Sequence, residues 1–202
     1  AKRPDSYLVE FLAEKATFAR RDHEIATRLE IAVAPGDDAE VRRVSLTNHS
    51  GRPREIELTS YVELGLGSIA EDVANPAFGK LFVETEWLAD CDALLARRRP
   101  RSPSDPAMVA FHVLAIQGPT QAQVEWETDR MRFLGRGRGP GDPKALDGRA
   151  LSGTTGAVLD PIFALRTRLR LAPGGFARVS FTTGVAGDEA TARNCAEKYQ
   201  DH

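Results

Sequence analysis

Period-two alternation punctuated by turn residues is the feature that most constrains this chain. Ile25, Thr27, Leu29, Ile31 and Val33 share one parity, with Arg28 and Glu30 on the other. A strand turns successive side chains to opposite faces, so such a run buries one face and wets the other. Ile56, Leu58, Ser60, Val62 and Leu64 repeat the arrangement with Glu55, Glu57 and Glu63 outward. Between Leu46 and Ile56 the segment 48–53 (Asn-His-Ser-Gly-Arg-Pro) carries the turn chemistry of a hairpin. Further strands are expected at 7–11, 17–21, 81–87, 93–98, 109–117 and 123–128. The run 108–116 is apolar on both parities and reads as a central strand covered on both sides. Phe163, Leu165, Thr167, Leu169 and Leu171 alternate with Arg166, Arg168 and Arg170; a Pro-Gly-Gly turn at 173–175 then leads into Ala177, Val179, Phe181, Thr183 and Val185. Many strands with turns between them point to an all-β antiparallel sandwich or barrel, not a βαβ fold.

Only the last segment reads as helical. Asp188 is its cap, Glu189 suits its first turn, and Ala192, Cys195, Ala196 and Tyr199 form a stripe at helical spacing. Two long loops, 65–80 and the glycine-rich 135–156, interrupt the strands. Long loops on a rigid scaffold are where function tends to sit.

With 202 residues the chain forms one large domain or two small ones. A formal charge of −2 gives no footprint for nucleic acid. No run approaches the roughly 18 apolar residues that cross a bilayer, so the chain itself is expected to be soluble. Cys91 and Cys195 are too few for a disulfide framework; one bridge or two free thiols both fit, and free thiols favour a reducing compartment. Asn48-His-Ser50 matches a glycosylation sequon but equally makes a polar turn.

The motifs that carry chemistry are sparse. The glycines from Gly135 to Gly141 with Arg138 suggest an anion cradle, yet there is no Gly-x-x-x-x-Gly-Lys-Ser/Thr, Pro140 spoils a Gly-x-Gly-x-x-Gly match, and no helix clearly follows. Arg130, Arg132, Arg136 and Arg138 around Phe133 lack the several aromatics that single-stranded recognition needs. His23, His49, His112 and His202 are scattered, with no His-Glu-x-x-His or Cys-x-x-Cys. Neither metal nor cofactor is therefore expected, and His112 reads as a core histidine bonded to a neighbour. Glu84 and Glu86 share a strand face; carboxylate pairs about 5 to 9.5 Å apart hydrolyse glycosides, but same-strand neighbours more often form a solvated face. No Gly-x-Ser-x-Gly elbow is present. Trp87 and Trp126 present faces that stack on sugars, or fill the core.

Four stretches, in order, carry a family resemblance: 41–61 (VRRVSLTNHSGRPREIELTSY), 75–86 (NPAFGKLFVETE), 129–138 (DRMRFLGRGR) and 151–162 (LSGTTGAVLDPI). They resemble the β-sandwich module of the glycoside phosphorylases, especially the cyclic β-1,2-glucan synthases, with cellobiose and chitobiose phosphorylases further away. The resemblance implies an antiparallel supersandwich, related to galactose-mutarotase-like domains, with one C-terminal helix. It implies a sandwich over 1–187 whose first strands lie upstream and are missing here. Residues 188–202 would begin a helical linker to an absent (α/α)6 barrel. That barrel carries the general-acid aspartate and most of the phosphate and sugar site, so no catalytic residue is expected in this chain.

The function this implies is a non-catalytic, carbohydrate-associated module of a bacterial glucan synthase or glycoside phosphorylase that buttresses the barrel. The implied partners are that barrel and a β-glucan oligosaccharide. A strand edge left open templates pairing, which adds a homodimer. Lys80, Arg136 and Arg138 on the two loops, with Trp87 and Trp126, are the candidate substrate-binding residues. The family also implies the cytoplasmic side of the bacterial inner membrane, through segments outside this chain. Two other functions fit the fold: a mutarotase-like aldose epimerase using His112 with Glu84 or Glu86, and a stand-alone β-glucan-binding protein.

Overall fold

The computed structural model describes residues 3–100, 105, 107–118 and 123–201. Strands β1 (Ser6–Phe11), β2 (Ala16–Asp22), β3 (Ile25–Val33) and β4 (Ala39–Asn48) form an antiparallel meander. The chain then changes sheets into β5 (Arg54–Thr59) and β6 (Val62–Glu63), and runs through helices α1 (Ile69–Ala74) and α2 (Pro76–Lys80). It returns through β7 (Val83–Leu88), β8 (Ala93–Arg98) and β9 (Val109–Gln117). Next come β10 (Glu125–Asp129), helix α3 (Arg130–Leu134), a single 3-10 turn (Lys144–Leu146), β11 (Gly156–Ala157), β12 (Pro161–Leu171), β13 (Phe176–Ala186) and helix α4 (Glu189–Gln200). The larger sheet has nine strands in the order β1-β2-β3-β4-β13-β9-β8-β7-β11; the smaller has the order β10-β12-β5, with β6 also pairing β12. All of these pairings are antiparallel.

The alternation decides which face goes where. Phe163, Leu165, Leu169 and Leu171 of β12 pack between the sheets against Leu94, Leu114, Val179 and Phe181. On the far side of the larger sheet, Ala192 and Ala196 of α4 seal Leu95, Phe111 and Val113. Strand β9 is therefore buried from both sides, as its doubly apolar run predicts. Its partner β13 must bring Gly184 under the Phe111 ring, where a Cβ would lie 2.5 Å from the ring carbon. A third cluster, Phe133, Leu134, Ala145, Ile162 and Ala164, closes the outer face of the smaller sheet. Beyond β4 the smaller sheet gives out. Val9, Phe18, Leu29 and Ile31 are only half-buried there, and Phe11 is 77% exposed.

Three expectations need correction. Segment 48–53 is no hairpin: β4 pairs with β3 and β13, whereas β5 pairs with β12. The physical reason is Asn48, which is fully buried. Its Nδ2 donates to the carbonyls of Arg52, Leu171 and Ala172 at 2.8–3.1 Å, and its Oδ1 accepts from the Ser50 amide and hydroxyl. The side chain thus locks a corner between sheets, and its burial removes the sequon reading. Second, helix is not confined to the C-terminus, because short caps create more. Ser68 and Glu71 form a capping box for α1, Asn75 followed by Pro76 starts α2, and Asp129 caps α3. The 65–80 segment is accordingly two helices, not a plain loop, and a single 3-10 turn does follow the glycines. Third, Arg166 does not point into solvent with Arg168 and Arg170: it is fully buried.

Candidate functional site

The glycine-rich loop is built onto the outer face of the smaller sheet. Asp129 accepts from the amides of Met131 and Arg132, which starts α3 and drives Phe133 into contact with Tyr61, ring centroids 5.0 Å apart. Gly135 then turns at φ +84°, where a Cβ would come within 2.9 Å of Lys144 Cβ. Arg166 pins the rest of the loop. Its guanidinium donates to the carbonyls of Ala145 (2.5 Å) and Arg149 (2.8 Å) and to Thr59 Oγ1 (3.0 Å), with Glu57 and Glu125 at 3.3 and 3.5 Å. Leu151 donates its amide to Glu125 (2.8 Å), and the Ser152 hydroxyl bonds the buried Glu127. The chain next wraps the sheet edge: Gly153 lies against Trp126, the Thr128 hydroxyl donates to the Thr154 carbonyl, and β11 joins β7.

Between loop and sheet lies a cavity of about 210 Å³ lined by Glu127, Arg132, Lys144, Arg149 and Ser152. Guanidinium and ammonium donors beside a carboxylate and a hydroxyl are the donor and acceptor set that sugar hydroxyls use. None of these five residues is among the substrate-binding candidates read from the sequence. Nothing in the sequence marks them, because the cavity forms only where Arg166 draws the Ala145 and Arg149 carbonyls onto the smaller sheet.

The five candidates from sequence do not converge on one point. Lys80 Nζ is 2.6 Å from Asp160, whose other oxygen is 3.6 Å from Arg130. Arg130 also donates to Glu63 (2.9 Å) and Tyr61 (3.1 Å), and Tyr61 donates to Glu63 at 2.6 Å. The hydrogen bonds from Tyr61 and Arg130 hold the Glu63 carboxyl below its usual range; burial, then the Glu63 bond, pushes the Tyr61 phenol up to about 12. Arg138 clamps its own loop, donating to both Asp147 oxygens (2.6 and 2.9 Å) and to Asp142 (2.9 Å), and the hydrogen bonds to Asp147 and then Asp142 raise it further above its ordinary value. Arg136 is exposed on the same loop, with no ion pair among the described residues. Trp87 and Trp126 stack on each other between the sheets, centroids 4.1 Å apart and planes 6° from parallel, so each covers one face of the other.

The hydrolytic and epimerase constellations do not assemble. Glu86 meets Arg193 at 2.7 Å and Arg97 at 3.1 Å, and Glu84 lies 3.9 Å from Arg99. Their face of β7 looks toward α4. His112 belongs to the opposite face, in the row Trp87–Leu94–His112, whereas Glu86 aligns with Leu95 and Phe111. Both His112 nitrogens are engaged, Nε2 at 2.7 Å from Ser60 Oγ and Nδ1 at 2.8 Å from Thr183 Oγ1. Phe133 is buried, so the surrounding arginines form no stacking platform. Among the described residues no cluster of His, Cys, Asp or Glu fits a metal, and no helix is long and apolar enough to cross a membrane; His202 lies outside the described residues. Cys91 and Cys195 are both free thiols, and burial raises Cys91 to about 11.

The two-sheet fold and its edge loop coincide with a family match. The glycosyl hydrolase 94 supersandwich domain model covers residues 1–202, and the chain belongs to that family. The chain is 37% identical over 188 residues to the cyclic β-(1,2)-glucan synthase NdvB of Rhizobium meliloti, covering 93% of this chain and 7% of that protein. It is 28% identical over 174 residues to the solabiose phosphorylase of Paenibacillus borealis, covering 86% of this chain and 22% of that one. The chain thus spans under a quarter of either relative. Among solved structures, a polysaccharide lyase aligns with a TM-score of 0.49 at 14% identity, over 89% of this chain and 23% of its own.

Proposed function

We propose that this chain is a carbohydrate-associated, non-catalytic sandwich module of a β-glucan synthase or glycoside phosphorylase. It buttresses a catalytic domain of the same polypeptide and lends the 135–156 loop to glucan. On this reading residues 1–187 are the sandwich and 188–202 lead toward the catalytic domain. The whole protein works at the cytoplasmic side of the bacterial inner membrane. The observation that carries the reading is the polar cavity under the glycine loop, in a chain whose family members include a β-1,2-glucan synthase and a disaccharide phosphorylase. Arg136 at the loop surface, with Arg132, Lys144 and Arg149 at the cavity, would meet sugar hydroxyls. Trp126 supports the loop from beneath through Gly153, and Lys80, Arg138 and Trp87 hold the neighbouring surfaces in shape.

The test is an NMR titration with β-1,2-gluco-oligosaccharides, with the β-1,4 series as control. Saturable shifts confined to 132–153 and selective for the β-1,2 series are expected. The absence of any shift at millimolar sugar would remove glucan contact and leave buttressing alone. Mutarotation of aldoses by the chain would overturn the non-catalytic assignment.

A further inference from the structure

We propose that the end of the sandwich carrying α1 and α2 is the docking surface for the remainder of a longer polypeptide. This rests on the module reading above and adds the surface through which the module is held. Ile69 and Val73 of α1 are 85% and 79% exposed, and α1 has no buried residue at all. Four positions apart on a helix, the two side chains share a face. Leu81, just after α2, adds a further exposed apolar side chain.

A six-residue helix is far below the length that holds by itself in water, so its geometry needs another cause. That cause lies on its polar side. The capping box of Ser68 and Glu71 fixes the first turn, and Arg98 grips both Glu71 oxygens at 3.1 and 3.2 Å. At the other end Lys80 ties the segment to Asp160. The helix is thus fastened through its charges with its apolar face held outward, an arrangement that in a soluble protein marks an interaction surface.

The neighbouring groove points the same way. A cleft of about 740 Å³ is lined by Val33, Pro35, Leu64, Leu66, Ala110 and Val185. It opens at the end of the sheets from which α1 springs. Leu64 and Leu66 run straight into α1, and Ala110 is the strand partner of Ala96, two residues from the anchoring Arg98. Asp38 stands on the cleft wall and Asp72 on α1, while Glu40 is already paired with Arg42 at 2.6 Å. The occupant that fits is therefore an apolar element with basic groups facing Asp38 and Asp72. Its source is the same polypeptide, since this chain makes up only 7% and 22% of the two curated relatives.

Amide hydrogen exchange, measured on this 202-residue chain and on a longer product of the same gene, tests the proposal, with β9 amides as internal reference. The expected result is exchange at least tenfold slower over 69–81 in the longer protein, returned to the rate of the shorter chain by I69S/V73S. The same double variant should leave the melting temperature of the shorter chain unchanged, because neither side chain is buried in it. Equal exchange over 69–81 in both proteins, with slowing elsewhere on the surface, overturns this surface but keeps the module reading. Slowing nowhere overturns both. Slowing in the shorter chain that grows with concentration and disappears on dilution assigns the surface to a second copy instead.

Discussion

Packed between Phe163 and Phe181, with ring centroids 5.8 and 6.0 Å away, His112 has no water to solvate a charge. Burial, reinforced by the positive charge of Arg42, pushes its pKa down to about 3. The unfolded chain takes up this proton near pH 6.5 while the folded one does not. Stability from neutral His112 is therefore complete above pH 6.5 and drains away as pH falls toward 3. Between about pH 7 and about pH 5 the loss from this residue is about 2 kcal/mol, on the scale of about 1.36 kcal/mol per pKa unit. Urea denaturation at the two pH values, on the natural chain and on His112→Gln, checks it: the variant should lose most of that pH dependence. Equal slopes would show that carboxylates, not His112, govern the acid limb. The core placement of His112 was legible because it sits in a run apolar on both parities. That of Arg166 was not, because alternation in β12 assigns a face but cannot tell that a distant loop will cover it.

At the level of elements, most strands were legible to within about two residues. Strand β4 was legible only through its end near Leu46, β5 and β6 only as one run, and β11 and the connections not at all. Turn chemistry at 48–53 announces a reversal of direction but not whether the chain returns in the same sheet. The deciding contacts, from Asn48 to Leu171 and Ala172, span 123 and 124 residues of sequence. The short helices escaped notice because each is defined by one cap and not by a periodic stripe. Asn48→Ala strips donors from carbonyls buried at both corners and should cost about 2–3 kcal/mol. For a chain of this size that lowers the melting temperature by roughly 5–10 °C; a variant melting within a degree of the natural protein would free the corner of this role. The glycine loop depends likewise on Arg166. Removing a fully buried guanidinium leaves the Ala145 and Arg149 carbonyls without their donor, while Glu125 keeps Leu151 and Arg168. At about 1–3 kcal/mol per stranded group the loss is about 2–4 kcal/mol. Arg166→Ala should fall by that order in denaturant midpoint analysis and become sensitive to trypsin at Lys144 and Arg149, before any effect on glucan. Unchanged resistance at those two sites would mean that the loop is held by α3 alone.

Across the whole molecule, protection is graded by how many layers cover each part of the larger sheet. From β13 to β7 it lies between the smaller sheet and, over β8, β9 and β13, helix α4, so β9 is buried on both faces. From β3 to β1 the opposing layer fades: β1 contains no buried residue, and β2 buries only Thr17. Local opening free energy rises with buried apolar contact, reaching the global value only in the core strands. The β1–β2 hairpin should therefore open alone, through sub-global fluctuations that leave the sandwich intact. Hydrogen exchange in mild denaturant separates the two cases. Amides of β9 and β13 should exchange only through global unfolding, with full denaturant dependence, while those of β1 and β2 exchange orders of magnitude faster with little dependence. If β1 and β2 instead match β9, the larger sheet is a single cooperative unit, and some contact made in solution must be covering the apolar side of Phe11 and Phe18.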